Sequence, residues 1–199
     1  MIETRVGLQA AMGGDRTKAA HPATPVSVEE LERDASACVA AGARAIHMHP
    51  RDPEGRQTLE AGAVDGAVAR VRRACGVPVG MTTSAEIEPD PERRLRLVGA
   101  WREPDYTSVN LSEPGAPELI EVLVGMGVGV EAGVWTVEDA ERLAASGLGA
   151  RVRYCALPYR SIARNLITCA KHPCEAKKSA RCPTTISGAS SWVRTEMTA

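Results

Sequence analysis

Two histidines stand one residue apart in the run Ile46-His47-Met48-His49-Pro50-Arg51-Asp52. Side chains alternate along a strand, so His47 and His49 face the same side of one. Two imidazoles on one face can supply two ligands to Zn2+ or a related divalent ion. A catalytic centre then needs a third protein ligand and an open position. The competing reading is a pair of histidines satisfied by ordinary hydrogen bonds. Arg51 either holds a substrate carboxylate or forms an ion pair in the turn Asp52-Pro53-Glu54-Gly55.

Further polar groups recur after apolar runs. Asp15 and Arg16 follow the first run, where a carboxylate can steer a substrate or move a proton; a solvated loop is the plainer reading. Thr82, Thr83 and Ser84 close the third run and offer hydroxyls to a carboxylate or carbonyl. Ser108, Asn110 and Ser112 share one strand face and Val109 and Leu111 the other, so the polar face must find partners or line a cavity. Glu131 stands between Gly129 and Gly133 in the fifth run. A carboxylate pointing into an apolar interior must be ion-paired, metal-bound or functional.

The elements that carry these residues alternate in type. Strands are expected at 6–10, 43–48, 77–82, 106–111 and 128–134, with a sixth beginning at 150. Helices are expected between them. Ser27-x-x-Glu30 marks a capping box, Asp90-Pro91 a capped start with proline in the first turn, and Thr136 with Asp139 another cap. Five βα units and a sixth strand imply a parallel sheet covered by helices. An open nucleotide-binding sheet demands a G-x-G-x-x-G turn after the first strand, and Gly13-Gly14-Asp15-Arg16 lacks it. Polar residues gather instead at the C-terminal strand ends, as in a (β/α)8 barrel.

Composition divides the chain in two. Of 199 residues, 44% are hydrophobic and 3% aromatic, with no Phe, so the core rests on Ala, Val and Leu. Residues 1–153 hold 17 of 18 Gly and carry a net −6 (17 bases, 23 acids); residues 154–199 hold three of the four Lys, four of the six Cys and a net +5 (seven bases, two acids). Residues 1–153 therefore read as a partial barrel domain. Residues 154–199 read as a tail of aberrant composition, such as a frameshifted translation would produce. The spacing of Cys169, Cys174 and Cys182 around His172 does not make a good zinc-finger pattern. The overall charge of −1 gives no reason to bind nucleic acid or a membrane. With no apolar leader or spanning run visible, a cytoplasmic location with reduced thiols is the expectation.

Six segments together resemble the β-keto acid cleavage enzyme family: GGDRTKAAHP at 13–22, AIHMHPRD at 45–52, GMTT at 80–83, IEPDPERR at 87–94, SVNLSE at 108–113 and VEAGVW at 130–135. The resemblance implies a (β/α)8 barrel, here incomplete, that uses Zn2+ or another divalent metal. It implies acyl exchange between a β-keto acid and acetyl-CoA, giving acetoacetate and an acyl-CoA in a Claisen-type step. It implies His47 and His49 as metal ligands, Asp15 and Glu131 as catalytic groups, and Thr82, Thr83 and Asn110 in substrate binding. Arg51, Ser108 and Ser112 join that substrate-binding set from the residue reading. Family members are usually oligomers, so a homo-oligomer is expected. Two departures stand out. The loop after Thr83 continues Ser84-Ala85 where the family usually has Gly. The family's last strands, with the third metal ligand and a proton-transfer Arg, have no counterpart in 154–199, whose acids are Glu175 and Glu196. An inactive truncated homologue and a generic metal-dependent aldolase are the alternatives.

Overall fold

The computed structural model describes residues 7–152 and the strand backbones at 154–156 and 192–194. The tail's cysteines at 169, 174 and 182, His172, Glu175 and Glu196 lie outside the described residues. Strands and helices alternate as β1 (Gly7–Met12), α1 (Val28–Ala40), β2 (Ala45–Met48), α2 (Ala61–Cys75), β3 (Val79–Thr82), α3 (Pro91–Gly99), β4 (Tyr106–Asn110), α4 (Ala116–Gly125), β5 (Gly129–Gly133), α5 (Val137–Ala145) and β6 (Tyr154–Ala156), followed by β7 (Trp192–Arg194). β1 to β6 pair in chain order and in parallel. This is the α/β architecture of a (β/α)8 barrel, incomplete at six parallel strands among the described residues. β7 departs from the pattern: it lies antiparallel on the free side of β1, pairing Gly7 with Arg194 and Gln9 with Trp192.

The helices begin and end where local chemistry dictates. Ser27 caps α1 through its own side chain, and Glu30 reaches back to the Ser27 N–H, closing the capping box. Asp90 caps α3, accepting from the Glu92 and Arg93 N–H groups, with Pro91 in the first turn. α2 stops at Gly76, whose φ of 68° is a left-handed cap open to glycine at little cost. The sixth strand starts later than its sequence suggests. Arg151 N–H bonds back to Leu148 C=O, so the chain completes a turn before it enters the sheet at Tyr154.

Strand alternation splits the side chains between two layers. Ile46, Met48, Val79, Met81 and Val130 face outward and are fully buried against α1, α2 and α4 residues such as Leu31, Val68 and Ile120. The opposite face carries Gln9, His47, Gly80, Tyr106, Ser108 and Glu131. Apolar packing thus stays outside the sheet, and the chemistry-bearing residues line its inner face.

Glu30 also reaches Lys18 at 2.5 Å and the Val26 N–H at 2.7 Å, so one carboxylate ties the long β1–α1 loop to its helix. The Lys18 ammonium and those backbone donors pull Glu30 from the ordinary 4.5 to about 2. Its folded pKa is depressed, so its contribution is complete above pH 4.5 and is lost as pH falls through about 2. Chemical denaturation of Glu30→Gln should show a deficit against the parent protein that shrinks steadily over that interval. A deficit independent of pH would refute the linkage.

Candidate metal and substrate site

His47 and His49 extend from the C-terminal end of β2 toward the inner face, as their spacing requires. Their Nε2 atoms stand 3.3 Å apart, with ring planes 70° from parallel. A tetrahedral ion with zinc–nitrogen distances of about 2.0–2.1 Å holds two ligand nitrogens about 3.3–3.4 Å apart. The pair therefore fits two vertices of such a site.

His49 is fixed by a residue the sequence reading passed over. Its Nδ1 donates to Gln57 Oε1 at 2.5 Å; an amide oxygen only accepts, so the proton is on Nδ1 and Nε2 is the acceptor, which in this structure faces His47 Nε2 within hydrogen-bond distance and is the atom that would ligate a metal. Burial pushes His49 below the ordinary histidine range, and the Arg51 charge adds to this, while Gln57, Asp15 and Glu86 act the other way. Gln57 arrives through the tight turn after Arg51. Gly55 takes φ 81°, Asp52 N–H bonds to Arg56 C=O, and Arg51 bridges to Gln57. The Asp-Pro-Glu-Gly signal was legible; that the returning chain would deliver an acceptor to His49 was its unread consequence.

Asp15, His47 and His49 come together in one open cleft of about 90 Å³, walled by Gly13, Gly14 and Arg16. Consecutive positive φ angles at Gly13 (78°) and Gly14 (60°) turn this loop sharply off β1. Arg51 locks it: the guanidinium donates to Gly14 C=O at 3.0 Å, Arg16 C=O at 2.7 Å and Gly55 C=O at 2.9 Å. Three of its N–H donors thus go to backbone that shapes the cleft, while its buried Nε has no hydrogen-bond partner among the described residues. Among the described residues, no group of three His, Cys, Asp or Glu converges as a metal cage.

Of the remaining predicted residues, Thr82, Ser108, Asn110 and Glu131 lie on the same inner face but beyond the lining of that cleft. Thr82, Ser108 and Glu131 are neighbours in register across β3, β4 and β5. Both threonine hydroxyls serve the β3–α3 loop: Thr82 Oγ1 accepts from Ser84 N–H, and Thr83 Oγ1 donates to Ser108 C=O at 2.7 Å. Glu131 is 6% exposed and accepts from Gln9 Nε2 at 3.4 Å. Ser112 is the misplaced one. β4 ends at Asn110, the chain turns, and Ser112 is exposed outside the strand rather than sharing its polar face.

Beneath these groups lies a second arrangement that sequence did not announce. Tyr106 spans the inner face from β4; its hydroxyl donates to Ile46 C=O at 2.6 Å and accepts from Gln9 at 2.9 Å. Its ring occupies the space over Gly80, where a Cβ would meet ring carbons at 2.0, 2.2 and 2.5 Å.

Fold and site together define an α/β barrel-type domain with a histidine pair suited to a divalent metal at its mouth. A family model for the β-keto acid cleavage enzymes matches residues 5–149, and the chain belongs to that family. Two curated relatives named 3-keto-5-aminohexanoate cleavage enzyme are similar to it. The one from Fusobacterium nucleatum subsp. nucleatum is 32% identical over 98 residues, covering 45% of this chain and 36% of the relative. The one from Acetoanaerobium sticklandii is 33% identical over 97 residues, covering 44% and 36%. The chain thus matches about a third of the length of these relatives. A solved structure described as a ternary complex of ObcA with C4-CoA adduct and oxalate superposes with a TM-score of 0.54 at 16% identity, over 66% of this chain and 35% of that one. That likeness concerns the fold alone. No helix among the described residues is long and apolar enough to cross a membrane.

Proposed function

We propose that this chain is a metal-dependent β-keto acid cleavage enzyme, exchanging an acyl group between a β-keto acid and acetyl-CoA to give acetoacetate and an acyl-CoA. The observation that carries the reading is the 3.3 Å Nε2 pair of His47 and His49, with His49 oriented by Gln57, at the C-terminal end of β2 in a chain of this family. Zn2+ or a similar ion bound there supplies Lewis-acid polarisation of the keto oxygens and stabilises developing enolate charge. His47 and His49 hold it. Asp15, in the same cleft, lies where a carboxylate can exchange a proton with substrate. Glu131 and Ser108 present polar groups from the neighbouring strands. Thr82 and Thr83 shape the loop that meets the substrate carboxylate, and Arg51 holds the β1–α1 loop against the histidines. The substrate partners are small molecules, and the protein works in the cytoplasm as a homo-oligomer.

A second reading is favoured by one observation: two protein ligands, not three, converge among the described residues. On that reading the chain is a non-catalytic relative that binds metal weakly. The purified chain with added Zn2+ should convert β-keto acids and acetyl-CoA to acetoacetate and the matching acyl-CoA, followed by chromatography of CoA esters. Weak zinc binding without CoA-ester turnover selects the non-catalytic reading. Turnover of a simple aldol substrate without CoA selects a generic aldolase.

A further inference from the structure

We propose that Glu113 is a positioning residue that fixes the Asn110 side chain as a hydrogen-bond donor to a β-keto acid's oxygen at the barrel mouth. The ligand in this inference rests on the functional reading above; the orientation does not.

Asn110 is the last residue of β4 and lies on the same face as Ser108, in register with Gly133 on β5. Two partners of opposite character hold its amide. Trp135 Nε1, which can only donate, points at Oδ1 at 3.0 Å. Glu113 Oε1 accepts from Nδ2 at 2.8 Å. An amide between a pure donor and a carboxylate has one orientation, so the second Nδ2 hydrogen is the group left to offer a ligand. Gly133 makes room for the amide. A Cβ there would lie 2.4 Å from Asn110 Oδ1, so the amide oxygen occupies space that only glycine leaves.

Glu113 does more than orient one side chain. Its Oε2 accepts from Ala85 N–H at 2.9 Å and from Arg94 Nη1 at 3.2 Å. Arg94 is 1% exposed and also donates to Pro114 C=O. One carboxylate thus binds the end of β4, the Thr82–Ala85 loop and a buried cation on α3. Ser84-Ala85, the departure from the usual glycine, falls where this carboxylate captures the loop's N–H. Trp135 is secured from its own side, since its backbone N–H and that of Thr136 both donate to buried Asp139.

The test reads the Trp135 indole N–H resonance in 15N-labelled full chain, assigned by its loss in Trp135→Phe. In Glu113→Gln the single amide oxygen is claimed by the two donors at the Oε2 position, Ala85 N–H and the buried Arg94 guanidinium, so the NH2 is set against Asn110 Nδ2. The Asn110 amide should flip, present Nδ2 to the indole and displace that resonance. In zinc-loaded protein it should weaken acetoacetate binding at least tenfold. The double variant Asn110→Asp/Glu113→Gln restores a donor–acceptor match at both junctions, so the resonance should return near its original position while acetoacetate binding stays weak. If Glu113→Gln does not fold, the double variant carries the test, and a displaced resonance there overturns the proposal. An unmoved resonance in folded Glu113→Gln overturns it as well. If the unaltered protein fails to bind acetoacetate, the functional reading fails, while the indole resonances still decide whether Glu113 sets the amide.

Discussion

His47→Ala should cut the affinity of the protein for Zn2+ by more than 100-fold and abolish any metal-dependent turnover, while leaving the melting temperature of the metal-free protein nearly unchanged. The histidines lie at a strand end on the inner face, clear of the outward core that stabilises the sheet. Losing an imidazole there removes one of two nitrogen ligands without opening a hole in that core. Removing only an outer partner of a metal-bound histidine costs about 10–100-fold in affinity, so loss of the ligand itself must exceed that. Gln57→Leu provides the internal scale. It deletes the acceptor at His49 Nδ1 and should fall within that smaller range. Competition titration with a chromogenic chelator checks both. Equal affinities for the parent protein and His47→Ala would dismiss the histidine pair as a metal site.

Gly80→Ala should destabilise the fold by about 3 kcal/mol or more, large for one added methyl group. A Cβ at position 80 would lie within 2.5 Å of three carbons of the Tyr106 ring, far inside van der Waals contact. The ring cannot retreat cheaply. Its hydroxyl is bound to Ile46 C=O and to Gln9, and Tyr106 is 3% exposed. Expelling it would take from the buried Gln9 amide the nearer of its two acceptors, leaving Glu131 at 3.4 Å, and leave a void at the floor of the inner face. The clash involves ring carbons, so Gly80→Ala/Tyr106→Phe should be no more stable than Gly80→Ala. Tyr106→Ala should cost much less in the Gly80→Ala background than alone, giving a coupling that urea denaturation can measure. Additive effects would show that the ring does not sit over Gly80.

Much of the frame was legible because it depends on local chemistry. Ser27 with Glu30, Asp90 with Pro91, and Thr136 with Asp139 each cap a helix as their residue types demand. The strand at 43–48 was placed within two residues, and the facing of His47 and His49 followed from a two-residue period. Alternation of strands and helices gave the parallel order. Misplacements came where turns compete with strand pattern. β1 runs on to Met12, until Gly13 breaks it with a positive φ, and Ser112 falls past the end of β4.

The sequence by itself determined an α/β barrel-type chain carrying a same-face histidine pair at a strand end, because strand periodicity, caps and motif order act over a few residues. Only the tertiary structure decided which groups those residues meet. Tyr106 reaches Ile46 C=O across 60 residues and lies over Gly80; Gln9 reaches Glu131 across 122; Arg51 spends its donors on the Gly14 and Arg16 carbonyls; and Asn110 is held between Glu113 and Trp135. Those contacts depend on how strands distant in sequence pair in register, and a shift of one residue would turn Gln9, Tyr106, Asn110 and Glu131 to the other face of their strands.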